Sequence, residues 1–172
     1  DGVQRRGTMD GDHRVGLILF PEVMNWMSAR AVASANSSAI VGRPARGSEL
    51  VPTNGGVAGA MYIFPYIVWR PKAWIEARFG AVVARTTAPN VDLVAQRLYS
   101  ESRNWRGGDP AFRDLGLELD AAVLFSTELR DRVTLTGGLE GGVFFPGMAF
   151  TDADGAVMQD IGLVRARVGL RW

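Results

Sequence analysis

Leu115-Gly116-Leu117-Glu118-Leu119-Asp120-Ala121-Ala122-Val123-Leu124-Phe125-Ser126 decides the reading of this chain. One parity runs Leu115, Leu117, Leu119, Ala121, Val123 and Phe125, apolar throughout. The other runs Gly116, Glu118, Asp120, Ala122, Leu124 and Ser126 and carries the carboxylates. A period of two is the signature of a strand with unlike faces, because successive side chains of extended backbone point to opposite sides.

The same alternation recurs downstream. After the polar turn 127–132, Val133, Leu135, Gly137, Leu139, Gly141, Val143 and Phe145 form one face, against Thr134, Thr136, Gly138, Glu140, Gly142 and Phe144. A last strand sets Gly162, Val164, Ala166, Val168, Leu170 and Trp172 against Ile161, Leu163, Arg165, Arg167, Gly169 and Arg171. Upstream, an expected hairpin runs from Val57 to Trp69, turns at Arg70-Pro71-Lys72 and returns from Ala73 to Arg85. On its return, Ile75, Ala77, Phe79, Ala81 and Val83 alternate with Trp74, Glu76, Arg78, Gly80 and Val82. The outgoing strand is apolar on both parities, so its faces stay unassigned. A first strand is expected around His13 to Phe20, which brings the number to about six.

These segments are about a dozen residues long, above the five or six usual in globular sheets and close to the roughly 9 to 11 that cross a bilayer at a tilt. Their connections alternate: short at 70–72 and 127–132, long at about 21–56, 86–114 and 146–160. Short turns at one end and long loops at the other are the pattern of outer-membrane barrels. Two long links carry helical stretches, Glu22 to Ala35 and Val91 to Arg103, without a sustained apolar stripe.

Composition narrows the function classes. The 172 residues suit a single domain, 1–172, and 19 basic against 18 acidic residues give a net charge of +1. No basic run tracks a phosphate backbone, so nucleic acid is not an expected partner. Cysteine is absent, which excludes disulfides and thiolate metal sites. The longest apolar run, Ala58 to Trp69, is broken by Pro65 and falls short of the roughly 20 residues of a spanning helix, so any crossing is expected to be made by strands. Asp1 is neither an initiator Met nor the start of a secretory signal, and the chain is read as processed or truncated.

Catalytic and metal constellations are not expected, and neither is a cofactor. His13 is the single histidine and reads as a surface residue. Ser100, Ser102 and Ser126 lack a Gly-x-Ser-x-Gly elbow. Asp152 and Asp154 open like a calcium loop, but no acidic twelfth ligand follows, so an Asx-rich turn is expected. Gly55-Gly56 and Gly137-Gly138 precede no helix start and cradle no phosphate.

Charges instead gather on one face: Glu76, Arg78, Glu118, Asp120, Glu140, Arg165, Arg167 and Arg171. Counting back from the loops sets Glu140 roughly opposite Arg165 and near Glu118. The set reads either as a lumen-facing wall that biases which solutes pass or as an ion-pair ladder that braces the interior. Trp69, Trp74, Phe125 and Trp172 near the short turns, with Phe144, Phe145 and Phe150 near the long loops, resemble two interfacial girdles. The alternative is the aromatic core of a β-sandwich.

Gly-Gly-Val-Phe-Phe-Pro-Gly at 141–147, preceded by Leu115 to Asp120 and followed by a final strand ending in Trp172, resembles the carboxy-terminal end of alginate-export-type outer-membrane porins. Together with Gly16-Leu17-Ile18-Leu19-Phe20-Pro21-Glu22 and Gly55-Gly56-Val57-Ala58-Gly59-Ala60, it resembles more closely a group of large myxobacterial-type outer-membrane barrels of unassigned function. The likeness spans about Gly11 to Trp172. Val164, Ala166, Val168, Leu170 and Trp172 are similar to the terminal signal by which barrel-assembly machinery recognises its clients, although Phe is commoner than Trp at the end. Such barrels have more strands than this chain supplies.

The expectation is therefore an all-β, antiparallel, up-and-down transmembrane β-barrel segment of about six strands, with long external loops and short helices, at the carboxy-terminal part of a larger barrel. It is not expected to be an enzyme. Its place would be the bacterial outer membrane, with lipid, the assembly machinery and a small solute or polysaccharide as partners. A porin-like channel for passive passage or polymer export is the leading function. A charge-plugged scaffold or surface-interaction barrel is the second reading, and a soluble periplasmic β-sandwich or lipocalin-like binder the third.

Overall fold

A computed structural model describes residues 15–29, 57, 59–129 and 133–171. Its strands are β1 (Ala60–Ile63), β2 (Tyr66–Lys72), β3 (Ile75–Thr86), β4 (Asp114–Glu128), β5 (Thr134–Pro146) and β6 (Ile161–Arg171). A helix α1 (Leu93–Tyr99) lies between β3 and β4. All six strands belong to one antiparallel sheet of order β1-β3-β4-β5-β6, with β2 also paired to β3. The sheet is open: β6 and the β1/β2 line are its edges among the described residues.

The strand count agrees with the sequence, but two members differ. The strand expected around His13 to Phe20 is not formed over its described part. Val15 leads through a turn at 16–18 into a π-helical turn, Leu19–Met24, continued by a helix over 25–29. His13 lies outside the described residues. The strand expected from Val57 to Trp69 is split at Phe64-Pro65. Proline has no N–H to give the ladder, but its carbonyl accepts from Ala81 N at 3.1 Å. Ile63 faces Val83 and Tyr66 faces Gly80, an equal step on both strands, so β1 and β2 are one line in one register. That register assigns the faces the sequence left open. Met61, Ile63, Ile67 and Trp69 share the face of Val83, Phe79 and Ala77, while Tyr62, Phe64, Tyr66 and Val68 share the face of Arg78 and Val82.

The hairpin turn also moves. Trp69 pairs with Ala77 and Lys72 with Ile75, so Arg70 and Pro71 form a bulge and the turn is Ala73-Trp74. Proline here occupies the irregularity rather than the turn, where its missing N–H again breaks no regular pairing.

Apart from one bulge in the β3–β4 ladder, the ladders from β3 to β6 run in continuous register and place the apolar parity on one face. Rows such as Phe79-Ala121-Gly141-Val164 and Ile75-Phe125-Gly137-Val168 cross four strands without a charge. This outer face is open, with Val164 76% and Val168 78% exposed. No second sheet covers it among the described residues.

One residue leaves its expected face. Leu115, aligned with Leu117 by parity, is fully buried in the cluster on the opposite, inner face. A bulge at Gly116 reverses the alternation: Ala84 pairs with Gly116, but Arg85 pairs with Asp114. Gly116 has φ +101°, and a Cβ there would overlap the Phe145 carbonyl oxygen.

The core sits on the inner face at the end of the long connections. Val15, Ile18, Leu19 and Phe20 pack there with Val82, Ala84, Leu115, Phe144, Ala149 and Phe150. Phe144 and Phe150, expected in a girdle, instead meet edge to face at 5.8 Å and are fully buried. Phe144 has the inner parity, and the 3-10 turn Met148–Phe150 folds Phe150 over that face. Trp69, Trp74, Phe125 and Phe145 are exposed; Trp172 lies outside the described residues.

Asn104 fastens the long connections to each other. Its Nδ2 donates to Thr151 O at 2.8 Å and Ala149 O at 3.3 Å, and its Oδ1 accepts from Arg106 N at 2.8 Å and Gly108 N at 2.9 Å. A buried amide with all its capacity used welds two loops at little cost.

Gly116→Ala is expected to lower unfolding stability in urea by about 2 kcal/mol or more, because the bulge tolerates neither the side chain nor its preferred φ. An unchanged urea midpoint would contradict that account of the bulge.

Candidate functional site

The inner face divides along the strands. Toward the long connections it is the buried core; toward the short turns it opens into a groove of about 1050 Å³. Its walls include Tyr66, Val68, Arg70 and Arg78 on one side, and Glu140, Arg165 and Arg167 on the other. Asp120, Ala122 and Leu124 form the floor, and Leu17, Glu22 and Asn25 overhang it.

Strand alternation supplies the chemistry. Arg78 alternates with outward Ala77 and Phe79, Glu140 with Leu139 and Gly141, and Arg165 and Arg167 with Val164, Ala166 and Val168. Glu140 pairs directly with Arg165 in the ladder, as the loop counting had set them. Glu118 is opposite Phe144, four residues along β5 from Glu140, so those two carboxylates are not neighbours.

Two carboxylates are each held between two arginines. Glu140, 7% exposed, accepts from Arg167 Nη2, and its other oxygen is 3.6 Å from Arg165 Nη1. Arg165 also reaches Glu22 at 3.2 Å. On the facing wall, Glu76 accepts from Arg70 Nε at 2.5 Å and from Arg78 Nε. The bulge at 70–71 explains the Arg70 contact, which the sequence did not suggest. Each triad has one more positive than negative charge, and its guanidinium groups stay partly solvated. With their guanidinium groups in water these pairs stabilise weakly, and they set the field in the groove.

Asp120 and Glu118 differ from this pattern. Asp120 lines the groove with both oxygens enclosed and accepting no hydrogen bond from the described residues, its Oδ1 pressed over Gly142. Glu118 lies on the inner face but is fully buried and does not line the groove. Its Oε1 accepts from the backbone N–H of Leu17 and, at 2.7 Å, of Ile18; its Oε2 accepts from Leu19 N at 2.8 Å. Three backbone donors replace the water that a carboxyl this deep has lost. Sequence reasoning placed Glu118 with the wall charges, since alternation reports the face and not the depth. The Arg171 side chain lies outside what the structure describes.

Beyond the groove, Asp152 forms the expected Asx turn. Its Oδ1 accepts from Asp154 N at 3.0 Å and Ala156 N at 2.9 Å, and Arg106 Nη2 lies 3.4 Å from Oδ2. No group of side chains suited to a metal ion occurs among the described residues. No described helix is long and apolar enough to cross a membrane.

No protein-family model, curated protein or solved structure matches this chain.

The Ala156 N–H first, then those of Asp154 and the Arg106 guanidinium, hold the Asp152 carboxyl below its usual 3.8. A lowered folded value means the turn is fully supported above 3.8 and loses that support only as pH falls through the folded value. The Ala156 amide resonance is expected to titrate with a midpoint below 3.8 in NMR. A midpoint at or above it would contradict the assignment.

Proposed function

We propose that this chain forms part of an outer-membrane β-barrel with a porin-like passage for small solutes or an exported polymer. The observation that carries the reading is the contrast between the two faces of one sheet. From Ile75–Val83 of β3 across to β6 the outer face is apolar, without a charge from row to row, and uncovered among the described residues, with Lys72, Arg85 and Asp114 at its margins, whereas the inner face holds a charged groove. An open apolar surface of this extent is unfavourable in water and favourable in hydrocarbon.

Strand length supports the same reading. At about 3.3 Å per residue, Leu135 to Phe145 extends about 33 Å, which a tilt near 40° projects to about 25 Å, the height of the apolar band of such barrels. In lipid the free edges of β6 and of β1/β2 must be paired, by further strands of the same or other chains, because unpaired backbone groups cost several kcal/mol each there. The one-sheet arrangement offers less to a soluble sandwich, whose second sheet would have to cover the outer face.

A non-conducting scaffold is the second reading. The buried cluster that fills the long-connection end of the inner face favours it, since that end would otherwise be the mouth of the passage.

Reconstitution of the full-length protein into planar bilayers separates the readings. Stepwise conductance is expected from the pore, a silent inserted barrel from the scaffold, and recovery in the soluble fraction without detergent would contradict both. Arg165→Glu with Arg167→Glu is expected to move reversal potentials toward cation preference. Unchanged selectivity would remove both arginines from the conduction path.

A further inference from the structure

The segment Val15 to Ser28 belongs to no strand, yet it is fixed to the middle of the sheet. Glu118 takes the N–H groups of three successive residues, Leu17, Ile18 and Leu19, across about a hundred residues of chain. Gly16 makes this approach feasible: it has φ +69°, and a Cβ there would lie 2.7 Å from Glu118 Oε2. Ile18, Leu19 and Phe20 then enter the core, with the Phe20 ring 6.0 Å from that of Tyr62 on β1. From this seat the chain turns over the groove, and Glu22 meets Arg165 of β6 at 3.2 Å.

The two attachments differ in kind. Glu118 is sealed, whereas Glu22 and Arg165 are both about half exposed. A buried carboxyl that accepts three backbone hydrogen bonds is a strong anchor, and a solvated ion pair is a weak latch. Glu140 lies against the other terminal nitrogen of the Arg165 guanidinium, so the latch shares its cation with the groove wall.

We propose that Val15 to Ser28 is a strap that narrows the interior of the barrel, seated by Glu118 and latched to the wall by Glu22 and Arg165. Release of the strap widens the passage; closure of the latch sets its narrowest charged point. This rests on the barrel reading above.

The test uses the full-length protein in lipid vesicles, with hydrogen exchange and single-channel conductance measured on the same preparations. Glu118→Gln replaces one acceptor oxygen by a donor group that faces the Leu19 or Ile18 N–H. Gly16→Val attacks the same contact from the strap and leaves every strand residue in place, which guards against loss of the fold in the first variant. In both, exchange over 15–24 is expected to accelerate about tenfold or more, as the loss of hydrogen bonds to a charged group implies, with β4 to β6 still protected. Conductance is expected to rise, or to emerge if the wild type is silent. Glu22→Gln is expected to raise conductance more modestly and to leave exchange at 17–19 unchanged.

Faster exchange with unaltered conductance, including silence in every variant, would overturn the strap as a constriction. Unaltered exchange in both Glu118→Gln and Gly16→Val would overturn the seat. A wild-type chain that does not enter vesicles would contradict the barrel reading instead, and its exchange pattern would still decide whether Glu118 holds the segment.

Discussion

In a β-ladder each side chain is committed to a face by its neighbours, and a slip of one residue would exchange the faces of a whole strand. Here β3 to β6 hold one register over most of their length, so Leu117, Leu119, Leu139, Val143, Val164 and Val168 line up on one surface while Glu140, Arg165 and Arg167 line up on the other. The proposed passage depends on that sorting. Its outer surface needs an apolar environment, and its inner surface needs water or compensating charge.

Except at Asp120, the inner surface meets its need in two ways. Near the short turns, partly solvated arginines close in pairs on Glu76 and on the buried Glu140. Near the long connections, water is excluded, and the single carboxylate there, Glu118, is satisfied by backbone donors. Loops that might have stood clear of the sheet are drawn onto it, with Asn104 joining two of them and Glu118 securing a third. The closed end and the open groove are thus built from the same face of the same strands, distinguished by which charges find partners in the loops.

Much of this was legible in the sequence because period-two patterning reports a face directly. The strands β4, β5 and β6 fall within a residue or two of their expected bounds, and Glu140 meets Arg165 as counted. The failures have local causes. The Val57 to Trp69 run is apolar on both parities, and only its pairing with β3 separates Tyr62 and Tyr66 from Ile63 and Ile67. Leu115 looked like the first rung of the outer stripe because nothing in Leu115-Gly116-Leu117 announces a bulge. Pro71 suggested a turn and marks an irregularity two residues earlier.

The candidate site was legible in composition and not in depth. Glu118 and Glu140 share a parity and a charge, yet one is an anchor and the other a wall group, because the partners of Glu118 come from residues 17–19. The run Val15 to Phe20 has the apolar content of a strand, but Gly16 with a positive φ and the waiting carboxylate make it a strap. Contacts across a hundred residues leave no mark in local periodicity.

The alternation of β6 in a bilayer is the most direct test of the central claim. Single cysteines at 164, 165, 166, 167 and 168, introduced into a chain that has none, would carry an environment-sensitive fluorophore in vesicles containing brominated lipid. Quenching is expected at Val164→Cys, Ala166→Cys and Val168→Cys and little at Arg165→Cys and Arg167→Cys. Uniform quenching, or the reverse pattern, would contradict it.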